Sequence, residues 1–369
     1  MRGEENQLLL QFVSQFAKEQ LRPVREGSDR YPFVNFFTSP LVTALEMKLF
    51  HLGLSEKMGG VGDENIGVIC QVLEALAVED ASFSMLLFTH LAGVALLKEA
   101  HAEKFLQQHF HSGQIPSDLL LAFPAMERLA SYRPKLKAIA IDGKYYLVGQ
   151  WDYLLLAPIA KHAIVWAQIE GQSWPSWFVV DLGQKEIERG GALVTLGMHA
   201  LPTSDVNFKN AEGILLTSSD NGAIIGQKVA DRLMLAVAAM GVGLMRGCYQ
   251  EAHRYALERR QGGRELIYWP EVRMMLAKMK IKLDALALGY QQAIYTQENN
   301  LIGWKQNSLA VALLLKEMIS EFTSDGIQIL GGSGYMTDFG QEKRFRDARH
   351  LQAIFGSLGE KIYDYLGEE

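Results

Sequence analysis

The hydrophobic period of this chain changes twice, from about 3.6 residues to 2 and back, which sets a helical region, a β region and a second helical region in series. From Glu4 to about His111 the apolar residues recur at helical spacing: Leu9, Phe12, Val13 and Phe16, then Val68, Val72, Leu73 and Leu76, then Leu91, Val94 and Leu97. From about Ser117 to Leu216 short β-type runs replace them, LKAIAI, KYYLVGQW, AIVWAQI, WFVVDL and ALVTLGM. Asp142-Gly143 divides the first two runs and predicts a tight hairpin.

From about Asn221 the helical period returns. Ala236, Met240, Gly243, Leu244 and Gly247 put small residues on one face of a long helix, which lets a neighbouring helix approach closely. Val272, Met275, Leu276, Met279, Leu283 and Leu286 make the stripe of a second helix, and SLAVALLLKEMISEFTSDGIQIL makes a third. The expected fold class is mostly α with a β middle domain: residues 1–116 helical, 117–218 a small β-domain, and 219–369 a bundle of three or four long helices.

With 369 residues, 49% hydrophobic and 21% charged, the chain can bury two or three substantial cores. A net charge of −6 supplies no basic field for a phosphate backbone, so nucleic acid is not expected as a main partner. Cys70 and Cys248 lie in apolar helical contexts, outside any zinc spacing, and read as buried thiols of a cytoplasmic protein. The nine histidines form no His-x-x-His or His-Glu-x-x-His set, no metal site is expected, and no serine sits in a nucleophile elbow. The start, MRGEENQLLLQFVSQF, has no uninterrupted apolar core of a signal peptide, and no membrane span is expected.

Two segments carry a resemblance. QILGGSGYMTDFGQEKRFRDARHLQAIFGS (Gln328 to Ser357) and AMGVGLMRGCYQEAHRYALERRQGG (Ala239 to Gly263) resemble the C-terminal signatures of the acyl-CoA dehydrogenase family. Those signatures are QILGGxGY and RDA followed by Tyr-Glu-Gly-Thr, and a long helix running into Glu-Arg-Arg-x-Phe-Gly. The three-region layout matches along nearly the whole chain, and the resemblance implies a small β-barrel or sandwich in the middle and a four-helix bundle at the C-terminal end. The resemblance implies FAD as cofactor, an acyl-CoA substrate, an electron-transfer flavoprotein as electron partner, and a homo-oligomer (dimer or tetramer) or a heteromer with a homologous subunit.

Site residues follow from the same match. The family's Arg after that Glu reaches across a dimer interface to the FAD pyrophosphate, and Arg259 holds its place, with Gln261 beside it. A guanidinium fork can pair two phosphate oxygens at once. Without the flanking match, Arg259 and Arg260 read as a solvated helix end. Gln328, Gly331, Gly332 and Ser357 match further cofactor contacts, the glycines letting backbone and cofactor come close.

The sequence also departs from the family. Ile354-Phe355-Gly356-Ser357 stands where the family has Tyr-Glu-Gly-Thr, and phenylalanine cannot take the α-proton. Ala122 to Arg128 replaces Thr-Glu-Pro-Gly-x-Gly-Ser with only the proline kept. Tyr153-Leu154-Leu155 replaces Trp-Ile-Thr, whose Thr hydrogen-bonds flavin N5. Gly262 stands for a Phe, and Trp269-Pro270 for an aromatic or His followed by Gln.

In the isovaleryl and long-chain types the catalytic Glu comes from Glu-Arg-Leu at the start of the long helix. Asp231-Arg232-Leu233 holds that register, which makes Asp231 the candidate base and Arg232 a candidate substrate contact. Asp231 equally suits a helix N-terminus for its favourable dipole.

The expected activity is α,β-dehydrogenation of an acyl-CoA thioester with FAD and a non-standard base. The alternatives are a non-catalytic or regulatory subunit of a heteromeric dehydrogenase, and a flavin-dependent monooxygenase or desulfinase.

Overall fold

The computed structural model describes residues 2–30, 38–58, 60, 65–112, 115–125, 135–217, 221–354, 362–363 and 365. Among these the helices α1 (Arg2–Phe16), α2 (Arg25–Ser28), α3 (Thr38–Glu46), α4 (Ile66–Glu79), α5 (Ala81–Glu99), α6 (Glu103–Ser112) and α7 (Pro116–Leu119) come first. Asp80 turns the chain between α4 and α5. Its backbone is extended (φ −145°, ψ 111°), and its carboxylate accepts from the Phe83 N–H at 2.9 Å, so one residue stops one helix and caps the next. At the other end of α4 the Asn65 side chain caps Gly67 at 2.7 Å.

Helix α5 is apolar on all sides because it is covered on all sides. By length and composition it is long and apolar enough to cross a membrane, yet 89% of that window is buried in the core.

The strands are β1 (Leu121–Pro124), β2 (Lys137–Ile141), β3 (Lys144–Leu155), β4 (His162–Ile169), β5 (Ser176–Asp181), β6 (Ile187–Arg189) and β7 (Thr203–Leu215). They form one sheet in the order β1-β3-β2-β4-β5-β7-β6, and further pairings β1–β4 and β3–β7 curl it on itself. The expected hairpin is present. Ile141 pairs with Lys144, and Asp142 and Gly143 both take positive φ (51° and 78°), the conformation a two-residue primed turn requires. The run ALVTLGM is not a strand. It crosses between elements, with the Leu193 N–H on the Thr203 carbonyl and the Met198 N–H on the Asp347 carboxylate, so alternation alone was a misleading guide there.

Helix α8 (Gly222–Glu258), the hairpin β8 (Arg260–Gln261) and β9 (Arg264–Glu265), and helices α9 (Pro270–Glu298), α10 (Trp304–Leu330) and α11 (Gln341–Ile354) complete the fold. The glycine face of α8 works as its spacing predicts. A Cβ on Gly243 or Gly247 would strike the Glu74 or Val78 carbonyl of α4, and one on Gly241 would strike Leu315 of α10. These three positions let α8 run as the central axis between the other helices.

Where α5 and α6 meet the sheet, His51, His90, His109 and His162 gather with Phe105 and Phe110. The His109 ring centroid lies 5.2 Å from that of His162 and 5.1 Å from Phe110, and His90 lies 5.9 Å from Phe110. His90 Nε2 and His109 Nε2 each face a backbone carbonyl at 2.8 Å (Phe50 and Leu119), so those nitrogens carry the proton.

Candidate active site

Packing of α4 and α5 against the first turns of α8 leaves a cavity of about 570 Å³. Its buried floor is apolar: Leu52, Ile69, Leu91, Val94, Val229 and Leu233. Its rim is polar, with Lys98 and Glu99 at the end of α5, Arg232 on α8, and Gln297 and Glu298 at the end of α9. Arg232 Nη1 meets Glu99 Oε1 at 2.7 Å across that rim.

Asp231 faces another way. Its carboxylate is bound by Lys305 Nζ at 2.6 Å and by Gln227 Nε2 at 2.6 Å, and it is not among the cavity-lining side chains. The next residue on a helix points about 100° away, so Val229, Arg232 and Leu233 face the cavity while Asp231 faces α10. Arg232 therefore pairs with Glu99 rather than with its sequence neighbour.

The dinucleotide candidates collect at the opposite end of α8. Arg259 is its C-cap and is exposed, with no ion pair among the described residues. Gln261 follows on β8, also exposed. Gln328 lies exposed on the last turn of α10, and Gly331, at φ 58°, ends that helix. A Cβ on Gly331 or Gly332 would meet nothing within 4 Å. The Tyr255 hydroxyl, donating to Ser333 Oγ at 3.2 Å, joins the Gly331–Tyr335 turn to the end of α8.

On the adjoining hairpin Trp269 packs into the space that Gly262 leaves open. A Cβ there would lie 2.7 Å from the indole, the Arg264 guanidinium stacks 3.9 Å over the ring, and Trp269 Nε1 donates to the Gln261 carbonyl. The two departures Gly262 and Trp269 thus compensate each other. Ser357 and Phe355 lie outside the described residues, as do Met126, Glu127 and Arg128.

The segments matching the flavin-ring end are closed and apolar where described. Ala122, Ala125, Leu154 and Leu155 are all buried, and Phe123 of β1 pairs with Leu155 of β3. Tyr153 sits in an irregularity of β3 at φ 60°, a strained value for a tyrosine. Its N–H donates to Asp205 Oδ1 at 2.8 Å, and its hydroxyl lies 3.2 Å from His350 Nε2. His350 Nδ1 faces the Gly197 carbonyl at 2.9 Å, which fixes that nitrogen as the donor and leaves Nε2 to accept from the tyrosine. Burial lowers the His350 pKa, against Asp347 and the Gly197 carbonyl, which raise it, so the neutral form is favoured.

RFRDAR, which by resemblance strengthens the cofactor reading, is structural in its buried members. Arg344 and Arg25 grip Glu251 from two sides, at 3.2 and 2.9 Å. Burial opposes ionisation of Glu251, but the two guanidinium groups outweigh it and hold its pKa at about 2. Lys343 binds Asp347 at 2.6 Å and faces Asp80 at 3.6 Å, and Asp347 Oδ1 accepts the Met198 N–H. Arg346 bridges Glu342 and Asp29. This charge lattice ties α11 to α2, α5, α8 and the β region. Paired charges spaced through apolar segments were the available sequence signal, and it does not say which charges are buried.

The geometry defines a helical–β–helical scaffold with a ligand cavity at one end of α8 and a phosphate-compatible face at the other. The acyl-CoA dehydrogenase C-terminal domain matches residues 224–359. Over 361 residues the chain is 27% identical to caffeyl-CoA reductase-Etf complex subunit CarC of Acetobacterium woodii, with 94% of this chain and 93% of that one covered. It is 26% identical to 3-(aryl)acrylate reductase of Clostridium sporogenes, covering 96% and 95%. Butyryl-CoA dehydrogenase from Megasphaera elsdenii has the same fold, with a TM-score of 0.83 at 20% identity, covering 98% and 97%. Residues 224–359 place the C-terminal region in the acyl-CoA dehydrogenase family, the likeness extends along nearly the whole chain, and members of that family are FAD-dependent oxidoreductases. Arg259, with no ion pair among the described residues, and the Gly331–Gly332 turn, where an added Cβ would meet nothing, are chemically compatible with that cofactor's phosphates.

Proposed function

We propose that this chain exchanges two electrons between FAD and the α,β-bond of an acyl-CoA whose acyl group is cyclic or aryl-substituted. The observation that carries the reading is the cavity between α4, α5 and α8, with an apolar floor wide enough for a ring and Arg232 at its rim. The printed names of two relatives, caffeyl-CoA reductase and 3-(aryl)acrylate reductase, support it. When bound, FAD supplies hydride transfer at the β-carbon.

The protein's own part is to bury the acyl group away from water and to manage the α-proton. Asp231 is the proposed acceptor, and it can act only if its carboxylate leaves both Lys305 and Gln227 and that face of α8 turns toward the cavity. The test is anaerobic mixing of the FAD-loaded protein with cyclohexanecarbonyl-CoA and 3-phenylpropionyl-CoA, with the enoyl product read by mass spectrometry. Asp231→Asn is expected to slow flavin reduction by about 100-fold or more. An unchanged rate removes Asp231 from the mechanism, and no product from either thioester removes the reaction.

Along α8 Asp231 and Arg259 stand roughly 40 Å apart at ~1.5 Å per residue. One extended cofactor cannot serve both ends of one chain, which supports Arg259, Gln261, Gln328, Gly331 and Gly332 acting on the cofactor of a second subunit. Met274, Ile281, Leu288 and Tyr295, each more than half exposed, recur every seven residues along α9 and support a helical subunit contact. The electron partner proposed is an electron-transfer flavoprotein, in keeping with the name of the CarC complex.

A second reading has one observation in its favour: Ala122 and Leu155 offer no hydroxyl at the ring end while the phosphate end is kept. On that reading the chain is a non-catalytic subunit that completes the site of a homologous partner. Colourless protein that co-purifies with a yellow homologue is its expected signature.

A further inference from the structure

We infer that the Glu99–Arg232 pair reads an uncharged hydroxyl on the acyl group, making these two residues the specificity determinants of the cavity. The inference rests on the assignment of that cavity to the acyl group.

An aliphatic or plain aryl group satisfies the floor but leaves the rim without partners. At the rim two cations, Lys98 and Arg232, stand with two anions, Glu99 and Glu298. A ligand carboxylate there meets the two glutamates, and a ligand ammonium meets the lysine and arginine, so each carries an electrostatic penalty. A hydroxyl carries none. It can donate to a carboxylate and accept from a guanidinium at the same time.

The pair is free to do this. Glu99 Oε1 takes Arg232 Nη1 at 2.7 Å, and Glu99 Oε2 has no hydrogen-bond partner among the described residues. Lys98 is engaged elsewhere, with Nζ on the Gly53 carbonyl at 2.7 Å. Arg232 is also held in place from behind. Gln297 Nε2 donates to the Arg232 carbonyl at 2.7 Å, and Gln297 Oε1 accepts from Ser308 Oγ at 3.2 Å. One amide thereby fixes the α8 backbone at Arg232 to the first turns of α10, so Gln297 is a positioning residue.

The probes are 3-(4-hydroxyphenyl)propionyl-CoA and 3-phenylpropionyl-CoA, which share the same CoA and differ in one hydroxyl. Their dissociation constants are measured by calorimetry on the FAD-loaded protein. The wild type is expected to favour the hydroxylated ligand by about ten-fold or more, as a hydrogen bond to a charged group supports. Glu99→Leu is expected to bring the ratio to about one, and Glu99→Gln, which keeps an acceptor and guards against misfolding, to an intermediate value.

Equal affinities in the wild type, or a preference that survives Glu99→Leu, overturn the inference. A preference that appears only between full CoA thioesters and their N-acetylcysteamine counterparts also overturns it, because the pair then reads the pantetheine arm. Ala95→Trp places an indole in the cavity and separates the two levels of the claim. If this variant binds both ligands as tightly as the wild type, the assignment of the cavity itself has failed; if it weakens both while the wild-type ratio is one, only the hydroxyl reader has.

Discussion

Glu251 lies between Arg25 and Arg344, two guanidinium groups on segments far apart in sequence, and its removal leaves both charges buried without a partner. Glu251→Ala is expected to cost about 3–5 kcal/mol in a denaturant melt. Its pKa is lowered in the fold, so its stabilisation is present above the unfolded carboxyl value and is lost as the pH falls toward about 2. A loss below ~1 kcal/mol would show the lattice to be dispensable. The sequence made Arg259, Arg232 and the glycines candidates through the spacing of their motifs, and the structure leaves Arg259 exposed and brings Arg232 to the cavity. The sequence did not make Arg344 or Asp347 legible as structural residues. Their burial depends on α2, α5 and the β region converging on α11, which no local pattern records. For Asp231 the register was readable, but its direction was not, since a turn of 100° decides between cavity and Lys305.

At the scale of elements, the four-histidine junction couples the helices to the sheet and responds to pH. Burial lowers the pKa of all four, to about 3 for His90 and about 4 for His109. Lys48 and Lys161 push in the same direction, while Asp118 and Asp181 oppose it. Protonation adds a hydrogen to a nitrogen that has no acceptor, as at His90 Nδ1 and His162 Nδ1. The unfolded chain binds these protons first. Stability is therefore intact above the unfolded value near 6.5 and falls progressively below it.

At about pH 5 each of the two most depressed histidines should cost ~2 kcal/mol. His109→Gln, which keeps a donor for the Leu119 carbonyl, should make the melting temperature fall less between about pH 7.5 and pH 5. An identical fall in wild type and variant would remove the junction as the cause. The elements themselves were legible where one period ran uninterrupted, as in α8, α9, α10 and the Asp142-Gly143 hairpin. They were not legible at ALVTLGM, whose Leu193 N–H reaches the Thr203 carbonyl at the start of β7 while its Met198 N–H turns to the Asp347 side chain, so no strand ladder continues along it.

For the whole molecule, α8 is the axis that separates two tasks. One end lines a cavity, and the other leaves Arg259 and Gly331 exposed, where the proposed function calls for a second subunit. The exposed apolar stripe on α9 is where the proposed subunit contact is tested. Ile281→Glu with Leu288→Glu should reduce the sedimentation coefficient to that of a smaller species and weaken FAD retention with it, whereas an unchanged assembly would place the subunit contact elsewhere. The layout of helix, sheet and helix was readable from period alone, while the separation of the two functional ends emerged only once α8 was seen to run unbroken over 37 residues.

The most direct measurement is the visible absorption spectrum of the purified protein, taken without oxygen before and after addition of a cyclic acyl-CoA. The account predicts a yellow flavoprotein whose band bleaches on mixing. A protein that stays colourless when supplied with FAD, or a flavin band that no acyl-CoA alters, would contradict it.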